Sequence, residues 1–184
     1  MELLIKAVLP FHFTELRGNM PATYEPIATQ TLGSAASAIT FTSIPATYTD
    51  LRVVLVGTTS SADYYRFRFN NDTSSLYSIT SLYGDGSTAT SGRFTNSASI
   101  FVLNPTSTTV PTTYQIDLFS YAGSTHKTCL VSASGDRNGS GEVWRSVGLY
   151  RSTSAIDRID LLAFSGAVNL AANTTATLYG IKNA

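Results

Sequence analysis

An all-β fold, a single antiparallel sandwich of jelly-roll type with about eleven strands, is predicted by three features of this sequence. Apolar residues fall in short runs bounded by Gly, Asn, Asp, Ser, Thr or Pro clusters, as strands and turns require. Hydroxyl residues with strand preference take the place of charge. No capped helical stripe occurs between Ala22 and Ala184, which excludes a parallel sheet with crossover helices. No fixed repeat is present either, so propellers and β-helices are set aside.

In chain order the predicted strands are Ile27–Leu32, Ala38–Ile44, Leu51–Gly57, Tyr64–Asn70, Leu76–Tyr83, Ser97–Leu103, Thr113–Tyr121, His126–Ala133, Val143–Arg151, Ile156–Phe164 and Ala176–Lys182. The two-residue period assigns faces. Tyr65, Phe67 and Phe69 point to the core, and Tyr64, Arg66 and Arg68 point outward. Tyr114, Ile116 and Leu118 alternate with Gln115 and Asp117, and Ile39 and Phe41 alternate with Thr40 and Thr42. Leu51 to Val56 is apolar on both faces apart from Arg52, which predicts a central strand covered on both sides. Pro45, Pro105 and Pro111 lie between runs, where a missing N–H costs no ladder bond.

A chain of 184 residues is long enough for one core and short for two. Only 13% of it is charged, where about 25% is usual. The 26 Thr and 23 Ser supply solvation without charge, and Thr favours the pleated backbone. Lys plus Arg equals Asp plus Glu at 12 each, so no long-range field steers the chain to nucleic acid or an anionic membrane. A neutral surface suits a subunit that packs beside itself. The single Cys129 forms no intramolecular disulfide and excludes a structural zinc site.

The first nineteen residues form a separate unit in this reading. Met1 to Leu9 is apolar, but Lys6 interrupts it, Pro10 ends it, and it is too short to span a bilayer, so no membrane insertion is expected. Met20-Pro21-Ala22 has the form of an ordinary protein start. The expected division is an extension or arm at 1–19 and the sandwich domain at 20–184.

Catalytic groups are sparse. His126 opens a predicted strand and His12 lies in the N-terminal segment; no GxSxG elbow accompanies either. The expectation is a protein that is not an enzyme. Cys129, between Lys127 and Val131 on one face, reads as an inert buried thiol. Asn70, Asn71, Asp72 and Asp85 are oxygen ligands of the type calcium takes, but EF-hand spacing is absent and Asx-turns account for them. No cofactor is expected.

Two ligand or interface candidates remain. Trp144 follows the loop Gly135–Gly141, and with that loop and Gly84–Thr90 it would line a shallow glycan groove; the alternative is that it plugs the core or an interface. Tyr64, Arg66 and Arg68 suit contact with another protein chain, giving a homo-oligomer, in fibre-like settings a trimer. The arginines 66, 68, 93, 137, 145 and 151 form no basic block, so a nucleic-acid platform is not expected.

Several motifs carry a resemblance. They are Tyr24-Glu25-Pro26-Ile27-Ala28-Thr29-Gln30-Thr31-Leu32-Gly33-Ser34, then Ile39-Thr40-Phe41-Thr42-Ser43-Ile44-Pro45, Tyr48-Thr49-Asp50-Leu51 and Arg68-Phe69-Asn70-Asn71-Asp72. Leu82-Tyr83-Gly84-Asp85-Gly86-Ser87, Gly148-Leu149-Tyr150-Arg151-Ser152-Thr153 and Leu178-Tyr179-Gly180-Ile181-Lys182 continue it. The chain resembles small structural proteins of tailed bacteriophages over most of residues 21–184 and none of 1–19. That resemblance implies a non-enzymatic virion protein, a capsid decoration or cement subunit or a tail tip or fibre component. Its partners would be itself and other virion proteins, with a host-surface glycan added if it faces the host.

Overall fold

A computed structural model describes residues 23–182 of the chain. The expected arm at 1–19 and the start at Met20 lie outside them. The described residues form twelve strands and no helix. These are β1 (Tyr24–Thr31), β2 (Ala38–Phe41), β3 (Asp50–Gly57), β4 (Tyr65–Phe69), β5 (Tyr77–Gly84), β6 (Ala89–Ser97), β7 (Ile100–Val102), β8 (Thr112–Phe119), β9 (Lys127–Gly135), β10 (Glu142–Tyr150), β11 (Ile159–Ala163) and β12 (Thr175–Ile181).

They build an antiparallel sandwich. One sheet has eight strands in the order β1-β12-β3-β8-β9-β10-β5-β6, and the other has four in the order β2-β11-β4-β7. The chain crosses repeatedly between sheets and stays within one only for the β5–β6 hairpin and the β8–β9–β10 meander, a jelly-roll-like path. The predicted fold class therefore stands. The strand count is corrected from eleven to twelve, because β6, with sequence ATSGRFTNS, has no buried side chain to give it a period.

The alternation read from the sequence sets the core. Tyr65, Phe67 and Phe69 of β4 are buried and face the large sheet, where the rings of Tyr114 on β8, Tyr77 on β5 and Tyr150 on β10 meet them. Tyr65 stands edge-on to Tyr114 at 4.9 Å, and Tyr77 stacks on Tyr150 at 4.7 Å. Such ring pairs add about 0.5–1.5 kcal/mol each beyond burial. The buried hydroxyls of Tyr77, Tyr114, Tyr121 and Tyr150 are hydrogen-bonded, whereas that of Tyr65 has no partner among the described residues. Tyr114 donates to the Asn104 carbonyl at 2.9 Å, Tyr150 to Asp72 Oδ2 at 2.8 Å, and Tyr121 to the Pro45 carbonyl.

One expectation about β3 is overturned. It lies inside the large sheet between β12 and β8, but only one face, Leu51, Val53, Leu55 and Gly57, is buried. Arg52, Val54 and Val56 face outward on an uncovered surface, where Arg52 pairs with Asp117 and lies over the Tyr24 ring. An apolar run on both faces is no proof of two covering layers. Here the second face belongs to a broad outer surface that also exposes Leu82, Phe119, Val143 and Val147.

Burying so many phenols makes stability depend on alkaline pH. Burial raises the pKa of Tyr65, Tyr77 and Tyr114 well above the ordinary tyrosine value, and that of Tyr121 and Tyr150 in the same direction. The folded state therefore keeps these protons where the unfolded chain releases them. Their contribution is complete below the unfolded value of about 10 and is lost as pH climbs past it. Urea midpoints should be flat from pH 8 to 9 and fall steeply towards pH 11; a level profile to pH 11 would contradict this core.

Candidate functional site

The two loops named from sequence do come together. The β5–β6 turn and the β9–β10 loop enclose an open cavity of about 710 Å³ at one end of the large sheet. Gly84 to Ser87 form one wall, Gly135, Asp136, Gly139 and Gly141 the other, and Pro111, Thr113, Ser134 and Val143 the floor.

Turn chemistry shapes both walls. Asp85 Oδ1 accepts the N–H groups of Ser87 at 2.9 Å and Thr88 at 2.7 Å, and the Thr88 bond above all holds its carboxyl below the usual range. Gly86 takes φ of 87°, open to glycine at no steric cost. Across the groove Asp136 Oδ1 accepts the Asn138 N–H at 2.8 Å. Arg137 anchors that loop by donating to the carbonyls of Pro105 at 2.9 Å and Ser140 at 2.5 Å.

The groove is lined by three carboxylates, Asp85, Asp136 and Glu142, with Ser and Thr hydroxyls and no cationic side chain. Oδ2 of Asp136 and Oε1 of Glu142 have no protein hydrogen-bond partner among the described residues. Such oxygens accept from hydroxyl donors, and the backbone of a glycine-rich wall stays within reach of a small polar ligand.

Trp144 takes no part in this lining. Its side chain is turned inward and is 5% exposed, stacked on Tyr83 at 4.0 Å and 7°, with Nε1 donating to Glu142 Oε2 at 2.6 Å. Register pairs Trp144 with Tyr83 across β10 and β5, which brings the rings face to face. The glycan-stacking role is therefore corrected: this ring plugs the end of the core and orients a groove carboxylate.

Tyr64, Arg66 and Arg68 lie on the opposite side of the molecule, on the outer face of the small sheet, as their alternation predicts. Register sets Arg66 beside Phe101 and Leu162, and Arg68 beside Asp160. Phe164 stands edge-on to Tyr64 at 6.2 Å and to Phe101 at 5.0 Å. Neither arginine has an ion pair among the described residues. Asp160 is held by Arg158 at 2.8 Å and by the Thr40 hydroxyl at 2.8 Å, and Asp63 accepts the Ser165 N–H at 2.9 Å. Both Nε atoms are shielded from solvent and unbonded. Burial and then the neighbouring Arg68 push the Arg66 guanidinium below its ordinary value.

The remaining candidates are structural. Asn70 and Asn71 take φ of 53° and 54°, and the Asp72 N–H bonds the Phe69 carbonyl at 2.9 Å, a type I′ turn. No cluster of metal-ligating side chains occurs among the described residues. Burial pushes the Cys129 thiol up to about 12, beyond the range of a nucleophile. His126 is exposed just ahead of β9 and makes no hydrogen bond to an acid or a serine among the described residues. What sequence reasoning missed is Lys127, which is 1% exposed; its ammonium donates to three backbone carbonyls, as described below.

No family model and no curated protein matches the chain. Among solved structures, the galectin LEC-6 of Caenorhabditis elegans is similar over 82% of this chain and 94% of its own, at 9% identity and a TM-score of 0.37. A likeness that distant carries no function.

Proposed function

We propose that this chain is a non-enzymatic, self-assembling subunit of a virus particle that offers its loop groove to a carbohydrate. The groove supports the ligand half. Paired carboxylate oxygens, hydroxyls and glycine backbone suit the vicinal hydroxyls of a sugar, and the absence of cations from the lining disfavours anionic ligands. Without an aromatic platform each site is weak. Repetition in an oligomer raises effective affinity by about 10²–10⁴ where copies engage together.

A second reading, assembly without a sugar ligand, is favoured by the small-sheet face. Arginine and aromatic side chains are the anchors that protein interfaces use, and Arg66 and Arg68 form no ion pair among the described residues. Partner copies or other particle proteins would supply the missing carboxylates. Virion localisation belongs to this proposal and rests on the sequence resemblance.

One experiment separates the readings. A glycan array is probed with the wild type, with Glu142→Gln, which keeps an acceptor for Trp144 while removing charge, and with Ser134→Trp, which fills the groove from an exposed position. Binding that falls at least tenfold in both variants supports the groove. Silence on the array, with sedimentation showing an oligomer lost in Arg66→Ala/Arg68→Ala, supports assembly alone. A strict monomer with no array signal would overturn both.

A further inference from the structure

The two sheets present four edges, and three are guarded. On β1, Pro26 removes a donor and a bulge between Pro26 and Ala28 breaks the register. On β2, four residues long, the Gln30 side chain bonds the Thr40 carbonyl at 2.6 Å. The edge strand β7 has three residues, and its Phe101 is flanked by Phe94 at 4.8 Å.

The fourth edge, β6, has nine residues, no proline and no lysine. Among the described residues it pairs with β5 alone, in unbroken register from Phe94 to Ala89. No other backbone or side-chain bond reaches the main chain of residues 89–95 among the described residues. A long open edge of this kind is a template for another strand.

We propose that the β6 edge is a self-pairing surface on which two copies join antiparallel about Gly92, turning two eight-stranded sheets into one. This contact is made by the main chain of β6, adjoins the small-sheet face through Phe94 and Phe101, and goes beyond the reading above. The register decides the occupant. Centred on Gly92, it sets Arg93 against Ser91 and Phe94 against Thr90, so no like charges face each other. Centred on Arg93 it would oppose two guanidiniums, which is unfavourable. The chain's zero net charge adds no general repulsion between copies, and Phe94, 38% exposed, gains a neighbour across the junction.

Gly92 makes the test clean. A Cβ there meets nothing within 4 Å, so substitutions leave the subunit intact. In the dimer, opposite Cα atoms of an antiparallel pair lie about 4.5–5.5 Å apart, within disulfide range. Gly92→Cys should therefore form a covalent dimer under mild oxidation, far faster than a control Ser124→Cys in an exposed loop, while buried Cys129 stays silent. Gly92→Lys should weaken self-association at least tenfold by setting two ammoniums against each other. Equal cross-linking of the two cysteine variants would overturn the proposal, even if an extended peptide of another protein occupies the edge. So would an oligomer indifferent to Gly92→Lys; if that oligomer fails in Arg66→Ala/Arg68→Ala, the small-sheet contact stands and the β6 contact alone falls.

Discussion

Lys127→Met is expected to destabilise the fold by about 3 kcal/mol or more, an effect few single surface changes reach. Lys127 opens β9 on its inner face, paired with Tyr150, and is 1% exposed. Its Nζ donates to the carbonyls of Gly123 at 2.5 Å, Thr125 at 2.5 Å and Thr153 at 3.4 Å. One ammonium thus ties the β8–β9 loop to the β10–β11 connection. Burial lowers its ionisation, yet three carbonyl dipoles keep the charge tolerable in place of a counter-ion. Methionine fills the volume and leaves three acceptors without a donor. For a domain of this size the loss corresponds to roughly 6–12 °C in Tm. Thermal unfolding measures it, and a loss under about 1 kcal/mol would mean that water replaces the ammonium at little cost.

Gly148→Val should be the other severe substitution. Gly148 lies on the inner face of β10, opposite Cys129 and against Ile100 of the small sheet. A Cβ there would come within 2.7 Å of Cys129 Sγ and 2.7 Å of Ile100 Cδ1, closer than real contacts allow. The bare backbone is what lets the two sheets approach at this point. Overpacking costs about 1–3 kcal/mol, and valine adds two methyl groups to a spot too small for one. The clash is specific and so can be relieved. Gly148→Ala should be unstable alone and should recover about half its loss when Ile100→Val removes the offending methyl. A double variant no better than the sum of the single losses would show that the sheets, not the side chains, set the distance.

The strands that bury one face announced themselves in the sequence. β4 carries an unbroken alternation of rings with polar residues, and burial followed it residue by residue, while in β8 the buried Tyr114, Ile116 and Leu118 follow it and Asp117 is buried on the other face beside Arg52. β6 stayed hidden because nothing in ATSGRFTNS is buried; its strand state comes from β5 beside it. Apolarity misled at β3, where exposed Val56 is indistinguishable in sequence from a buried valine. Loop chemistry was legible as turns in 84–88 and 135–141, and their meeting around a groove depends on β5, β10 and β9 being neighbours. Trp144 could be placed near that groove, but its inward stack on Tyr83 is fixed by cross-strand register. The burial of Lys127 had no local signal, since its partners sit in two separate loops.

The outward pointing of Tyr64, Arg66 and Arg68 was legible from period alone. Their lack of ion pairs was not, because it follows from Asp160 choosing Arg158 and Asp63 choosing a backbone N–H. Such choices are made by three-dimensional neighbours.

Whether the groove holds a sugar is tested most directly by amide chemical-shift mapping on the labelled protein, titrated with the strongest glycan from the array. Shifts confined to residues 84–88, 111–113 and 134–143, saturating together and absent in Ser134→Trp, are the predicted result. Shifts centred on the small-sheet face, or spread over the molecule without saturation, would contradict it.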